Sequence, residues 1–483
     1  MKQDMKKTLG QVLVPSLLVS FIGGALIIVL TNLAVANLST IGKASSSELA
    51  FQIAEAGIEY YRWHLAHASS DYQNGTGQPG PYTIPYNDKN GTQIGQIILD
   101  ITPPPIGSTV VTILSTGKVT ADPSVQRKIR SQLAIPSLAR YATVANDVMR
   151  FGPGTEIFGP IHSNAGIRFD GIANNIVTSA QASYDDPDHS GANEFGVHTH
   201  VNPTDPLPPA TAPNRPDVFR AGRQFPVPAV DFPGLTANLA QIKTDAQAAG
   251  RYFANSGGQG YYMILKTDDS FDLYRVNSLT NPPSGCDNLL GQTGWGTWSF
   301  ATNTQPFLGN YTFPANGLIF FEDHLWVRGQ INTARLTIAS GVFPETPTTN
   351  TSITVNNDLL YTNFDGQDVI SLIAQNNLNV GWASANTLTI DAALVAKNGR
   401  VGRYYYRPPT STSNQRCAPY HVRNQITLYG TITTNQRYGF AYTDGTGYAT
   451  RTITYDPNLL YAPPPSFPLT SSQYEIISWE EVR

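Results

Sequence analysis

The residue types best suited to holding a metal ion gather in one stretch. His198 and His200 flank Thr199, so on a strand both imidazoles point the same way, and Asp185, Asp186, Asp188 and His189 lie just upstream, with His162 a more distant candidate. Two imidazoles and a carboxylate suit zinc, and the run Asp185, Asp186, Pro187, Asp188 suits calcium. The spacing matches no tight metal motif, and a polar surface loop accounts for the same residues. Asp365, Asp368 and Asp391 are the acids that a glycoside-cleaving reaction would draw on. They form no paired-carboxylate motif, and Asp391, between Ile390 and Ala392, reads as a turn or stacking residue. No Gly-x-Ser-x-Gly elbow, phosphate loop or Cys-x-x-Cys pair occurs. The expectation is a protein without catalytic residues and without a cofactor, a metal ion on His198, His200, Asp185 and Asp188 being the exception.

Tyr404, Tyr405 and Tyr406, between Arg403 and Arg407, would stack on a sugar or a partner surface if exposed; as an amphipathic strand or a rim they would serve packing. The two cysteines are Cys286 and Cys417. In an oxidising compartment they would close a long loop with one disulfide, worth roughly 3–5 kcal/mol, while two separate thiols fit the sequence as well.

The element with most to say lies at the start of the chain. Residues 8–42 carry no charged side chain, and residues 9–38 are rich in Leu, Val, Ile and Ala. As a helix that run spans about 45 Å, against roughly 30 Å of bilayer hydrocarbon. Val12, Leu13, Leu17, Leu18, Phe21, Ile22, Leu26, Ile27 and Leu30 make it a membrane or filament helix. Lys2, Lys6 and Lys7 precede it and Lys43 follows, which places the start in the cytoplasm and the bulk outside. Gly10 stands between the lysine-bearing leader and the apolar run. Pro15 inside a continuous helix costs about 3 kcal/mol. If the mature chain starts at Gln11, only the opening bond of a fraying terminus is lost. Beyond the apolar run, Leu49, Ile53, Ala56, Tyr60 and Trp63 recur at helical spacing as a stripe suited to packing on a sheet.

Lys7-Thr8-Leu9-Gly10 ahead of a long apolar run, with the block Glu48-Leu-Ala-Phe-Gln-Ile-Ala-Glu-Ala-Gly-Ile-Glu59, resembles the N-terminal region of PilX-type and other minor pilins. The resemblance covers about the first 70 residues. It implies that prepilin peptidase cuts after Gly10, that Gln11 becomes an N-methylated terminus, and that the partners are other pilins and the pilus assembly machinery. Major pilins carry a glutamate five residues into the mature chain, which neutralises a neighbour's terminal ammonium; here Pro15 stands there. A buried unpaired ammonium is costly, so the departure favours a minor, initiating or tip subunit. Residues 159–164, 439–444 and 455–468 resemble uncharacterised pilus-associated exported proteins, a likeness that brings no known activity.

The fold expected is mainly β with one long N-terminal α-helix. A leader, residues 1–10, precedes a pilin-like module at 11–138, with a helix at 11–68, membrane-spanning over 11–38, and a four-strand meander at 81–135. The basic strand at 126–130 reads as a solvated edge. Short apolar strands, and Asn332, Asn356, Asn376 and Asn398 at intervals near 22 residues, predict a right-handed parallel β-solenoid with stacked asparagines over 139–182 and 317–483. A jelly-roll-like sandwich is the alternative. Residues 183–316 read as an insertion with a helix and a β-hairpin, either a binding surface or a lid. With 31 basic and 35 acidic residues the chain has no electrostatic footprint for nucleic acid. Three functions fit: a minor or tip pilus subunit displaying an adhesive β domain, a membrane-anchored protein that binds a surface glycan or protein, and, more remotely, a carbohydrate-active enzyme.

Overall fold

The structure, a computed structural model, describes residues 5–105, 108–232, 235–469 and 473–482; residues 1–4 of the expected leader and the side chains of residues 5–12, among them Gly10, Gln11 and Val12, lie outside the described residues. The chain divides into two compact units.

The first unit comprises Met1–Pro103, Val111–Ala134 and Gln473–Arg483. Its helix α1 runs from Met5 to His67 with Pro15 inside it, so it begins at Met5, within the residues expected to form a leader, and not at residue 11. Lys6, Lys7 and Leu9 are good helix formers, and a lone glycine does not stop a helix that they and the apolar run support. The second half of α1 lies on an antiparallel sheet in which β1 (Tyr82–Asn87), β2 (Gln93–Thr102), β3 (Val111–Val119) and β4 (Gln126–Ala134) follow in sequence order. Alternate residues face the helix: Ile97 and Leu99 on β2, Val111 and Ile113 on β3, Ile129 and Leu133 on β4.

The stripe on α1 that meets them is Ala50, Ile53, Ala54, Ile58, Tyr61 and Leu65. Of the expected stripe only Ile53 belongs to it; Leu49, Ala56 and Tyr60 are half-buried and Trp63 is exposed. The reason is closeness. Small residues let backbone meet backbone here, and a Cβ built on Gly117 of β3 would fall on the Ala50 carbonyl, 2.7 Å from the Ala54 nitrogen. The face that carries small residues therefore wins over the face with the larger rings.

A fifth strand, Glu475–Val482, pairs antiparallel with β4, setting Ile476 opposite Leu133 and Glu481 opposite Ile129. This corrects two expectations. Residues 473–483 belong to the first unit, not to the solenoid-like region, and the basic strand is no free edge: Arg130 meets Glu480 at 2.9 Å and Arg127 pairs with Glu481.

The second unit comprises Pro104–Val110 and Ile135–Ser472. Most of its strands pair in parallel, unlike those of an antiparallel jelly roll. Along one ladder Leu318 lies opposite Thr337, Thr337 opposite Ser371, Ser371 opposite Ala393, and Ala393 opposite Thr431. The ladder then crosses to the opposite end of the unit's sequence, with Ile432 opposite Thr143, Thr143 opposite Ile161 and Ile161 opposite Val177. The chain thus enters the stack in the middle, builds outward through residues 143–179, and returns from the far end to dock on its own first coil. Leu318–Phe321 is buried on both faces. Ile319 and Phe321 join the interior with Ile338, Leu372 and Leu394, and Leu318 and Phe320 pack outward under Leu239, Ile242 and Ala246 of helix α2 (Leu235–Ala249). Strands covered on both sides read as unbroken apolar runs.

Residues 183–316 are not a separate insertion. Arg251–Phe253 lies parallel to Leu318–Phe321, and Gly260–Leu265, the first arm of a hairpin with Ser270–Val276, lies parallel to Leu325–Gln330. They form a terminal coil of the ladder, and α2 covers its outer face.

Candidate functional site

From Leu13 to Ile41 every large apolar side chain of α1 faces outward, with exposures from 52% at Ile22 to 77% at Phe21; Leu13, Leu17, Leu18, Leu26, Ile27 and Leu30 lie between. Three hydroxyls in this stretch bond to the helix itself: Ser16 to the Leu13 carbonyl at 3.0 Å, Thr31 to that of Ile27 at 2.7 Å, and Thr40 to that of Ala36 at 2.9 Å. A helix with large apolar side chains facing outward all round is suited to lipid or to other apolar helices. It is long and apolar enough to cross a membrane.

A second site is a cluster of imidazoles and carboxylates in the other unit. Ser183–Tyr184 pairs antiparallel with Glu194–Phe195, and this short hairpin brings Asp186 and Glu194 together from the two ends of its loop. Val197–His198 then joins a separate three-stranded parallel sheet beside Ile167 and Arg168. His198 is fully buried, with Nε2 3.5 Å from Asp186 Oδ2, and His200 Nε2 is 3.3 Å from Glu194 Oε1. The exposed His189 approaches the same Glu194 oxygen at 3.2 Å. Burial alone would raise the Asp186 carboxyl, but His198, the Asp188 N–H and Arg168 outweigh it and hold it well below the usual range. Burial, then Arg168 and His198, push His200 down.

The carboxylates at this cluster are thus Asp186 and Glu194, not Asp185 and Asp188. Asp185 is exposed, and Asp188 pairs with Arg150 at 3.3 Å and with Arg437. His162 is engaged elsewhere, with Thr178 at 3.0 Å and Asn164 at 3.1 Å. Glu194 went unrecognised in the sequence, although its place four residues before His198 was a usable signal.

Tyr404, Tyr405 and Tyr406 are all buried, which removes them as exposed stacking faces. Their hydroxyls are engaged within the chain, Tyr405 with Asp444 at 2.8 Å and Tyr406 with the Gly296 carbonyl at 2.8 Å, while Arg400 and Arg403 lie over the Tyr404 and Tyr406 rings. The packing partner is a disulfide between Cys286 and Cys417, in a cluster with Trp382. Tyr404 also borders a groove of about 990 Å³ with Arg150, Arg400, Arg437 and Tyr442 on its walls. Two of the candidate acids hold backbone. Asp368 accepts from the N–H groups of Ala334, Thr362 and Asn363, and Asp391 from that of Tyr361 at 3.0 Å. The third, Asp365, accepts from Gln367 within its own turn.

No family model matches the chain, and no curated protein matches it. Among solved structures, the competence-associated pilin ComZ from Thermus thermophilus is similar at a TM-score of 0.31 and 12% identity, over 90% of this chain and 98% of that one. A likeness of that size carries no argument about this chain.

Proposed function

We propose that the chain is a minor subunit of a type IV pilus-like filament, held by α1 first in the membrane and then among the helices of other subunits. The observation that carries this reading is the two-part character of α1. It is one unbroken helix, outward-facing and apolar from Leu13 to Ile41, then seated on an antiparallel sheet through Ala50, Ile53, Ala54, Ile58, Tyr61 and Leu65. The pilin-type leader supports processing by prepilin peptidase between Gly10 and Gln11, with methylation of the new terminus. Pro15 in place of a charge-neutralising glutamate supports a tip or initiating position. We assign the β-rich second unit to display, with the groove beside Arg400 and Tyr442 as the contact for a surface glycan or protein, and no catalytic step.

An uncleaved anchor is the second reading, favoured by the continuity of α1 through Gly10 from Met5. Shearing separates the two. A filament subunit is released with the sheared filaments, whereas a chain that stays wholly with the membrane fraction contradicts the filament reading.

A further inference from the structure

We infer that the second unit binds a divalent transition-metal ion of the zinc class on Asp186, His198 and His200, with the Glu194 carboxylate against His200. The first observation is an accumulation of buried polar atoms without hydrogen bonds: His198 Nδ1, Glu194 Oε2 and the Tyr184 hydroxyl, together with His198 Nε2 and Asp186 Oδ2, which have only long ion-pair contacts, 3.5 Å to each other and 3.6 Å from Asp186 to Arg168. Orphaned buried polar atoms cost free energy, of order 1–3 kcal/mol each, so several in one place call for a missing partner. Tyr184 lies with its ring centroid 5.5 Å from that of His198.

The second observation is spacing. One ligand atom from each of Asp186, His198 and His200 falls within 4.8 Å of the others, and His189, Glu194 and His200 meet the same condition. Zinc bonds to nitrogen and oxygen are about 2.0–2.1 Å, and the edge of such a tetrahedron is about 3.3–3.4 Å. The His198–Asp186 separation of 3.5 Å needs little adjustment to reach it, and the ligand atom of His200 lies within 4.8 Å of both.

The neighbours fit a cation. Asp170 Oδ1 accepts the His200 backbone N–H at 2.8 Å and, through Oδ2, holds Arg168 Nε at 2.7 Å. That guanidinium also pairs with Asp186 Oδ2 at 3.6 Å, so the Asp186 carboxylate would be shared between Arg168 and the ion. Imidazole nitrogens select against calcium, which takes six to eight oxygen ligands. Bound here, the ion would clip the loop of Asp186 to the strand that ends in His198.

The test uses the untagged full-length chain in detergent, stripped with a chelator, dialysed and titrated with zinc or cobalt. The expected result is one ion per chain, a tetrahedral cobalt spectrum, and a rise in unfolding temperature on adding zinc. His198→Asn and Asp186→Asn should lose stoichiometric binding and the temperature rise, and Glu194→Gln should weaken binding by about 10- to 100-fold. His67→Gln, on the exposed end of α1, should leave binding intact. Metal-free melting of each variant against metal-free wild type separates misfolding from loss of a ligand. Absence of binding to the wild type, or binding that survives both His198→Asn and Asp186→Asn, would overturn the inference.

Discussion

Replacing Gly117 with alanine asks whether α1 is seated on β3 as closely as the structure has it. The added Cβ would fall on the Ala50 carbonyl, 2.7 Å from Ala54 N and 3.0 Å from the Ala50 carbonyl carbon. All three are backbone atoms, so no side chain can swing away. Ordinary contact begins near 3.5 Å and the Ala50 carbonyl oxygen lies 1.9 Å from the added Cβ, so the helix must withdraw by about 1.6 Å or bend. Withdrawal loosens the packing of Ala50, Ile53, Ala54, Ile58, Tyr61 and Leu65 together. Overpacking of this kind costs about 2–3 kcal/mol. At 1.4 kcal/mol per tenfold, amide exchange over residues 50–65 should accelerate roughly 30- to 140-fold in the detergent-solubilised chain. Gly42 is the control. A Cβ there meets nothing within 4 Å, so Gly42→Ala should slow exchange nearby through better helix propensity, by about 1 kcal/mol. A Gly117→Ala chain that exchanges like wild type would refute the packing.

Asp391 carries a pH dependence. Burial, offset in part by the Tyr361 N–H and reinforced by Asp358 and Asp456, raises its carboxyl to about 6. The folded state then takes up this proton before the unfolded chain does, so the group's contribution to stability falls as pH rises from about 4 to 6, by roughly 3 kcal/mol. Asp391→Asn keeps an acceptor for Tyr361 and should flatten that slope in denaturant titrations at pH 4, 6 and 8; marked destabilisation at pH 8 would count against it. The Cys286–Cys417 bridge spans 131 residues, a closure worth up to about 5 kcal/mol by chain entropy. The double serine variant should melt at lower temperature than the oxidised wild type and become insensitive to reductant, and equal melting would remove the bridge from the account.

Features with local periodicity were legible in the sequence. The apolar run of α1 and the alternation of β1 to β4 need no distant partner to be recognised. The strand Glu475–Val482 was not, because it is mostly exposed and lacks the alternation of apolar residues that marks a half-buried strand. Its partner β4 looked like a solvated edge for the same reason, since Arg127 and Arg130 find their acids more than 300 residues away. The asparagines show the limit differently. Asn332 bonds to Asn363, Asn356 to the Trp298 carbonyl, and Asn398 to Glu345. A longer run links Asn435, Asn146 and Asn164 at 3.0 and 2.9 Å across the junction where the chain docks on its own first coil, and Asn435 also donates to the Asn398 carbonyl at 3.3 Å. A sequence period cannot reveal a stack whose neighbours lie 289 residues apart. At the histidine cluster the imidazoles were legible as an alternating pair, but the carboxylates were set by a two-residue hairpin too short to leave a pattern.

The most direct measurement of the central claim is mass spectrometry of the N-terminus of the mature chain from cells with active prepilin peptidase. Processing as a pilin predicts Gln11 as the first residue, methylated at its amine, and removal of the leader shortens α1 so that Pro15 moves into the first turns of the helix. A chain that retains residues 1–10 in those cells would contradict the account.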